Sequence, residues 1–111
     1  MSDEIKACLE DVLHSIGLID SFLGSVKKFE DYSANLMLKS AVERKIEIIG
    51  EALNNAMKLE NTLSVTHARK IVDMRNKLIH GYDEVDDTVV WNVLIKHLPA
   101  LKLEVEKLLQ Q

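Results

Sequence analysis

At 111 residues and a net charge of −4, the chain is sized for a single domain with a modest core, and is too acidic overall to coat DNA. Hydrophobic residues reach 47% while aromatics are 5%, with one proline and four glycines, a balance that favours helices over a sheet. No apolar run approaches the roughly 20 residues that cross a bilayer, and Met1-Ser2-Asp3-Glu4 lacks the basic start of a secretory signal, so a cytoplasmic protein with no membrane contact is expected.

Apolar residues recur at helical spacing through Ile5, Leu9, Val12, Ile16, Ile19, Leu23 and Val26, predicting a first helix from about Asp3 to Lys27. The lone cysteine, Cys8, has no partner for an internal disulfide and sits among these apolar positions, which reads as a small packing residue rather than a reactive thiol. Residues 28–33 read as a short connection. A second helix follows through Leu38, Val42, Ile46, Ile49, Leu53 and Met57, ending near Glu60. Asn61-Thr62-Leu63-Ser64 then supplies a turn and N-cap candidates for a third helix carrying Ala68, Ile71, Val72, Met74, Leu78 and Ile79, with Gly81 as its stop. The acidic stretch Asp83-Glu84-Val85-Asp86-Asp87 leads to a fourth helix from about Thr88, capped by Asp87. Pro99 has no N–H and restricts Leu98, so a kink or break is expected before a last helix from Pro99 to Leu109. With no linker, repeat or low-complexity segment, residues 1–111 are expected to form one all-α domain, an up-and-down antiparallel bundle of four to five helices.

The chemistry concentrates in Arg75-Asn76-Lys77-Leu78-Ile79-His80-Gly81-Tyr82. Arginine offers a planar fork suited to phosphate, and histidine is the side chain best placed to move protons near neutral pH, a pairing that points to phosphodiester chemistry without a metal. Asn76 and His80 are four apart and share a helix face, whereas Arg75 lies about 140° round from His80 on a straight helix. The length of the arginine spans part of that gap, and a helix ending at His80 leaves the imidazole on a terminal turn with Tyr82 just beyond. From His67 to His80 there are four basic residues (Arg69, Lys70, Arg75, Lys77) against one acid (Asp73), a local +3 that leaves −7 on the rest of the chain. Such a strip can grip a short stretch of phosphate backbone. The plainer alternative makes the strip a solvated helix face, His80 a helix cap and Tyr82 a ring packed on the bundle.

The run resembles the Arg-x4-His-x-Tyr signature of HepT-like members of the HEPN superfamily (higher eukaryotes and prokaryotes nucleotide-binding domains). Glu43-Arg44-Lys45-Ile46-Glu47-Ile48-Ile49-Gly50-Glu51-Ala52 is similar to that family's second-helix segment. Met74 to Pro99, with Asp86, Val90-Trp91 and Leu98-Pro99, is similar to its motif helix and the segment after it, so the resemblance covers roughly residues 40 to 100. It implies a ribonuclease toxin of a toxin–antitoxin pair, whose usual partner is a minimal nucleotidyltransferase antitoxin encoded beside it. Carried over by position, it makes Arg75 and His80 the catalytic pair, Asn76 their support, and Tyr82 the tyrosine on which the antitoxin places AMP. RNA cleavage by the adjacent 2′-hydroxyl needs one base and one acid, and one chain offers one motif histidine. A composite site at a homodimer cleft would supply two.

Outside the motif, Glu43, Glu47 and Glu51 form an i, i+4, i+8 stripe. Carboxylate-bridged metal bundles also need Glu-x-x-His motifs, and Asp11-x-x-His14 is the nearest approach, so the stripe reads mainly as a polar face whose outer end can approach the motif helix and orient Arg75. His14, His67 and His97 show no ligand spacing and read as surface or packing residues, although His67 adjoins the basic strip. Gly50 inside a helix costs about 1 kcal/mol relative to alanine, which suggests a close helix approach there. Trp91 reads as a core or interface anchor. No Gly-rich phosphate loop, nucleophile elbow or Cys-His metal motif appears, so neither cofactor nor metal is expected. The rival to the nuclease reading is a non-catalytic helical interaction module that binds a nucleotidyltransferase; the intact Arg75/His80 pair favours the enzyme.

Overall fold

The computed structural model describes residues 1–81 and 85–111 of the chain. They form six α-helices: α1 (Asp3–Leu23), α2 (Phe29–Ser33), α3 (Leu36–Leu59), α4 (Ala68–Ile79), α5 (Asp87–Asn92) and α6 (Leu98–Leu109). A π-helical stretch, Val93–His97, joins α5 to α6 without a break. Among the described residues there is no strand, and the fold is the all-α bundle expected. No helix among the described residues is long and apolar enough to cross a membrane.

Most of the apolar stripes read from the sequence are buried, although Leu23, Val26, Met57, Val72 and Leu78 are only partly so and Ile79 is exposed. Leu9 and Val12 of α1, Val42, Ile46, Ile49 and Leu53 of α3, Ile71 of α4, and Leu101 and Val105 of α6 are all fully enclosed. Each such side chain contributes about 1.5–3 kcal/mol relative to an exposed one. The central helix is α3, packed on one side against α1 and on the other against α4, while α6 closes the bundle on α1. This arrangement puts the motif helix directly on the middle of the fold.

Several boundaries differ from the sequence expectations. The first helix stops at Leu23 rather than Lys27, because Gly24 adopts φ 52° and its N–H bonds to the Asp20 carbonyl. Residues 28–33 are not merely a connection: Phe29–Ser33 makes a short helix that drives Tyr32 fully into the core. There Tyr32 lies tilted against Trp91 with ring centroids 5.4 Å apart and Phe29 meets it edge-on at 6.4 Å, so Trp91 anchors packing. The fourth expected helix is capped by Asp86, whose side chain accepts from the Thr88 N–H, and not by Asp87. Asp87 instead accepts from the Ser33 hydroxyl (2.9 Å) and pairs with Lys39 (2.8 Å), tying the start of α5 to α2 and α3. At Pro99 no break occurs. The Leu98 N–H reaches the Val93 carbonyl, five residues back, and this widened turn leaves proline in the first turn of α6, where a missing N–H is tolerated.

Candidate active site

The motif helix α4 is placed by one packing contact above all. A Cβ built on Gly50 of α3 would collide with Arg75 Cβ, and would lie 2.8 Å from Arg75 Cγ and 3.3 Å from the Ile71 carbonyl oxygen. Only a residue without a side chain lets the two helix backbones approach this closely. The close approach expected at Gly50 is therefore present, and its partner is Arg75 itself. The expected orientation of Arg75 by the glutamate stripe is not: among the described residues, no ion pair joins Arg75 to Glu43, Glu47 or Glu51. Glu47 faces Arg44 at 3.6 Å, Glu51 is exposed, and burial, with Asp87 and Glu47 nearby, holds the Glu43 carboxyl above its ordinary range despite Lys39.

Asn76 brings the two motif ends together. Its Oδ1 accepts from Arg75 Nη1 at 2.9 Å, while its backbone carbonyl accepts from His80 Nδ1 at 2.6 Å. The sequence puts Arg75 and His80 on different faces, and this single residue links them through its side chain and its main chain. A carbonyl oxygen can only accept, so Nδ1 carries the proton and the neutral ring has its lone pair on Nε2. Arg75 Nε is buried and, among the described residues, has no hydrogen-bond partner. Unpaired buried donors of this kind are uncommon, and the Tyr32 hydroxyl in the core is another. Gly81 adopts φ 64° and ends the helix at His80, as its position predicts, leaving the imidazole exposed. Tyr82 lies outside the described residues.

The basic strip is exposed along α4 at Arg69, Lys70 and Lys77, and Arg69 faces Asp73 at 3.6 Å. The other end of α4 is held in a way the sequence does not announce. None of residues 61–64 caps it; the helix begins at Ala68 with His67 in the cap position and no side-chain cap of its own. Glu104 of α6 supplies the carboxylate instead, accepting from the Thr66 N–H at 2.7 Å and the His67 N–H at 3.0 Å. Burial alone would raise the Glu104 carboxyl, but these two donors outweigh it and hold the group below its ordinary range. His67 and His97, scattered in sequence, meet here with Nδ1 atoms 3.4 Å apart and ring centroids 5.6 Å apart. Burial, followed by the neighbouring His67, Lys70 and Lys96, pushes His97 below the ordinary histidine range. Among the described residues no group of three or more His, Cys, Asp or Glu is placed to hold a metal ion. Cys8 is half-buried, and burial followed by Asp11 and Glu4 raises its thiol, which suits a packing residue.

Comparison with known proteins bears on this geometry. A family model described as "Ribonuclease HepT-like" matches residues 12–108. A Thermococcus cleftensis protein named "Probable ribonuclease HepT" is 38% identical, over 93% of this chain and 94% of its own length. A Caldanaerobacter subterraneus subsp. tengcongensis protein named "Putative RNase" is 37% identical over 75% of each chain. A Methanocaldococcus jannaschii protein named "Gamma-glutamylcyclotransferase and putative RNase" is 34% identical over the whole of this chain, which spans only 50% of that relative. No solved structure matches the chain.

Proposed function

Because the chain belongs to the ribonuclease HepT-like family, we propose that it is a metal-independent endoribonuclease, the toxin of a toxin–antitoxin pair, acting through Arg75 and His80 at a homodimer cleft. The observation that supports this most directly is Asn76, which holds the Arg75 guanidinium with its side chain and the His80 ring with its carbonyl. A helix that merely needed a cap would have no use for the first of these bonds.

The proposed reaction starts with His80 Nε2 taking the proton of a ribose 2′-hydroxyl. The 2′-oxygen attacks the adjacent phosphorus, and the bond to the 5′-oxygen of the next nucleotide breaks. Arg75 stabilises the charge that grows on the non-bridging oxygens through its guanidinium, which Asn76 holds by Nη1. The departing 5′-oxygen receives a proton from the protonated His80 of the partner subunit, so the products are a 2′,3′-cyclic phosphate and a 5′-hydroxyl. Two copies related by a two-fold axis supply both histidines and both arginines.

Control is proposed to lie in Tyr82. Transfer of AMP to its hydroxyl by a cognate minimal nucleotidyltransferase would add bulk and negative charge two residues from His80 and compete for the arginine that the substrate phosphate needs. The test is expression of wild type, Arg75→Ala and His80→Ala without the antitoxin, followed by analysis of RNA ends. Wild type should arrest growth and leave cyclic phosphate ends, and both variants should do neither. Folded variants that cleave like wild type would reject the assignment. Tyr82→Phe should remain toxic when the nucleotidyltransferase is co-expressed, and covalent silencing of that variant would remove Tyr82 from the scheme.

A further inference from the structure

A groove of about 430 Å³ runs between α3 and α4 and ends at the motif. Met57, Val65, Ala68 and Val72 give it an apolar lining, and Asn54, Arg69, Asp73 and Asn76 a polar one. We infer that this groove holds a nucleobase of the RNA strand being cut, beside the scissile phosphate; the inference rests on the ribonuclease reading above.

The position of the groove comes from Asn76, which belongs to both sites. Its Oδ1 holds Arg75, so whatever occupies the groove adjoins whatever the guanidinium grips. In a nucleic acid the group beside a phosphate is a ribose with its base. The lining suits that group on three counts. Met57 and Val72 present an apolar surface against which a flat ring can lie, and a thioether makes favourable contacts with aromatic rings. The Asn76 Nδ2 hydrogens point to no described partner, and no hydrogen bond engages the Asn54 carboxamide among the described residues. A carboxamide carries a donor and an acceptor side by side, the pattern needed to read a base edge. Arg69 lines the groove with an exposed side chain, paired among the described residues with Asp73 at 3.6 Å, and can reach a neighbouring phosphate.

Other ligand classes fit less well. A metal ion would find one carboxylate, Asp73. A bare phosphate has no use for the apolar lining. The volume falls within the roughly 300–1,000 Å³ of small-ligand pockets, which accommodates a base together with its sugar. The α3–α4 groove is thus a base-reading subsite in which Asn54 determines specificity and Arg75 and His80 act on the adjoining phosphate.

The experiment uses the full chain as wild type, Asn54→Ala and Asn54→Asp, each checked for folding by thermal melt. A randomised single-stranded RNA is cut under single-turnover conditions, and the nucleotides flanking each cut are sequenced, with sedimentation run in parallel. Wild type should favour particular bases at one flanking position. Asn54→Ala should weaken that preference at least fivefold while cutting continues. Asn54→Asp, which keeps the shape but loses the N–H donors, should redirect it. Identical preferences in all three proteins, or a wild type with no flanking preference, would overturn the subsite. So would a changed oligomeric state with unchanged preference, which assigns the groove to a second copy of the chain. A wild type that cuts no RNA removes the ribonuclease reading and the subsite with it, and that outcome is recognised because the unmutated control is itself silent.

Discussion

Gly50→Ala is the most searching perturbation this fold offers. The added methyl would meet Arg75 Cβ, an atom fixed to the α4 backbone, so no side-chain rotation relieves the clash. Moving Arg75 Cγ from 2.8 Å to an ordinary carbon contact of about 3.5–4.0 Å requires α4 to shift by roughly 1 Å. Overpacking of this kind costs about 1–3 kcal/mol, while alanine gains about 1 kcal/mol over glycine as a helix former. The net loss is then about 1 kcal/mol, or roughly 4–8 °C in Tm for a domain near this size. The effect on activity should be larger, since a 1 Å misplacement of catalytic groups can cost about 100-fold. Single-turnover RNA cleavage and a circular dichroism melt measure the two effects separately. Gly17→Ala is the control: Gly17 lies inside α1, and a methyl placed there would meet nothing within 4 Å. The same substitution at Gly17 should therefore raise stability by about 0.5–1 kcal/mol and leave cleavage unchanged. If Gly50→Ala behaves like Gly17→Ala, with raised Tm and activity within twofold of wild type, the claim that Gly50 seats Arg75 is wrong.

Asn76→Ala removes the hydrogen bond to Arg75 but keeps the carbonyl that accepts from His80. A hydrogen bond to a charged group contributes about 1.5–3 kcal/mol to stability, so the melting temperature should fall, and release of the guanidinium from its place should lower the cleavage rate about 10- to 100-fold; a rate within twofold of wild type would dismiss the bridging role. Glu104→Ala removes a cap that satisfies two backbone donors before α4 and should destabilise the protein by about 1 kcal/mol in urea titrations, as loss of a helix cap typically does; an unchanged urea midpoint would contradict it. His97 has a folded pKa below its unfolded value, so the native state binds fewer protons there and stability rises with pH. Its contribution is intact above about pH 6.5 and is lost as pH falls below that value. His97→Gln should therefore shrink the drop in urea midpoint between pH 7.5 and 5.5, and an equal drop in both proteins would refute the assignment.

Much of the candidate site was legible in the residues alone. Arg75, Asn76 and His80 stood out as candidates by residue type, with their roles implied by the family resemblance rather than by spacing, and Gly81 ends the helix where a stop was expected. The glycine inside α3 also signalled a close contact, because its cost to the helix needs a reason. What spacing could not show was that Arg75 is the residue facing it, or that Asn76 bridges two faces of one helix. Helical wheels treat side chains as radial vectors, whereas an arginine long enough to fold back along the helix escapes that geometry. Asn54 and Glu104 carried no local signal, being ordinary polar residues until other helices arrive beside them.

The amino-acid sequence by itself determines the helical class, the stripes that form the core and the chemistry available at the motif. These follow from periodicity, propensity and glycine's backbone freedom, all of which act over a few residues. The tertiary structure decides the rest. It sets Arg75 against Gly50, caps α4 with a carboxylate 37 residues away from His67, pairs His67 with His97, and turns Phe29–Ser33 into a helix that buries Tyr32. Each of these depends on which helix faces share a boundary, and that is settled only when the whole apolar surface is buried at once.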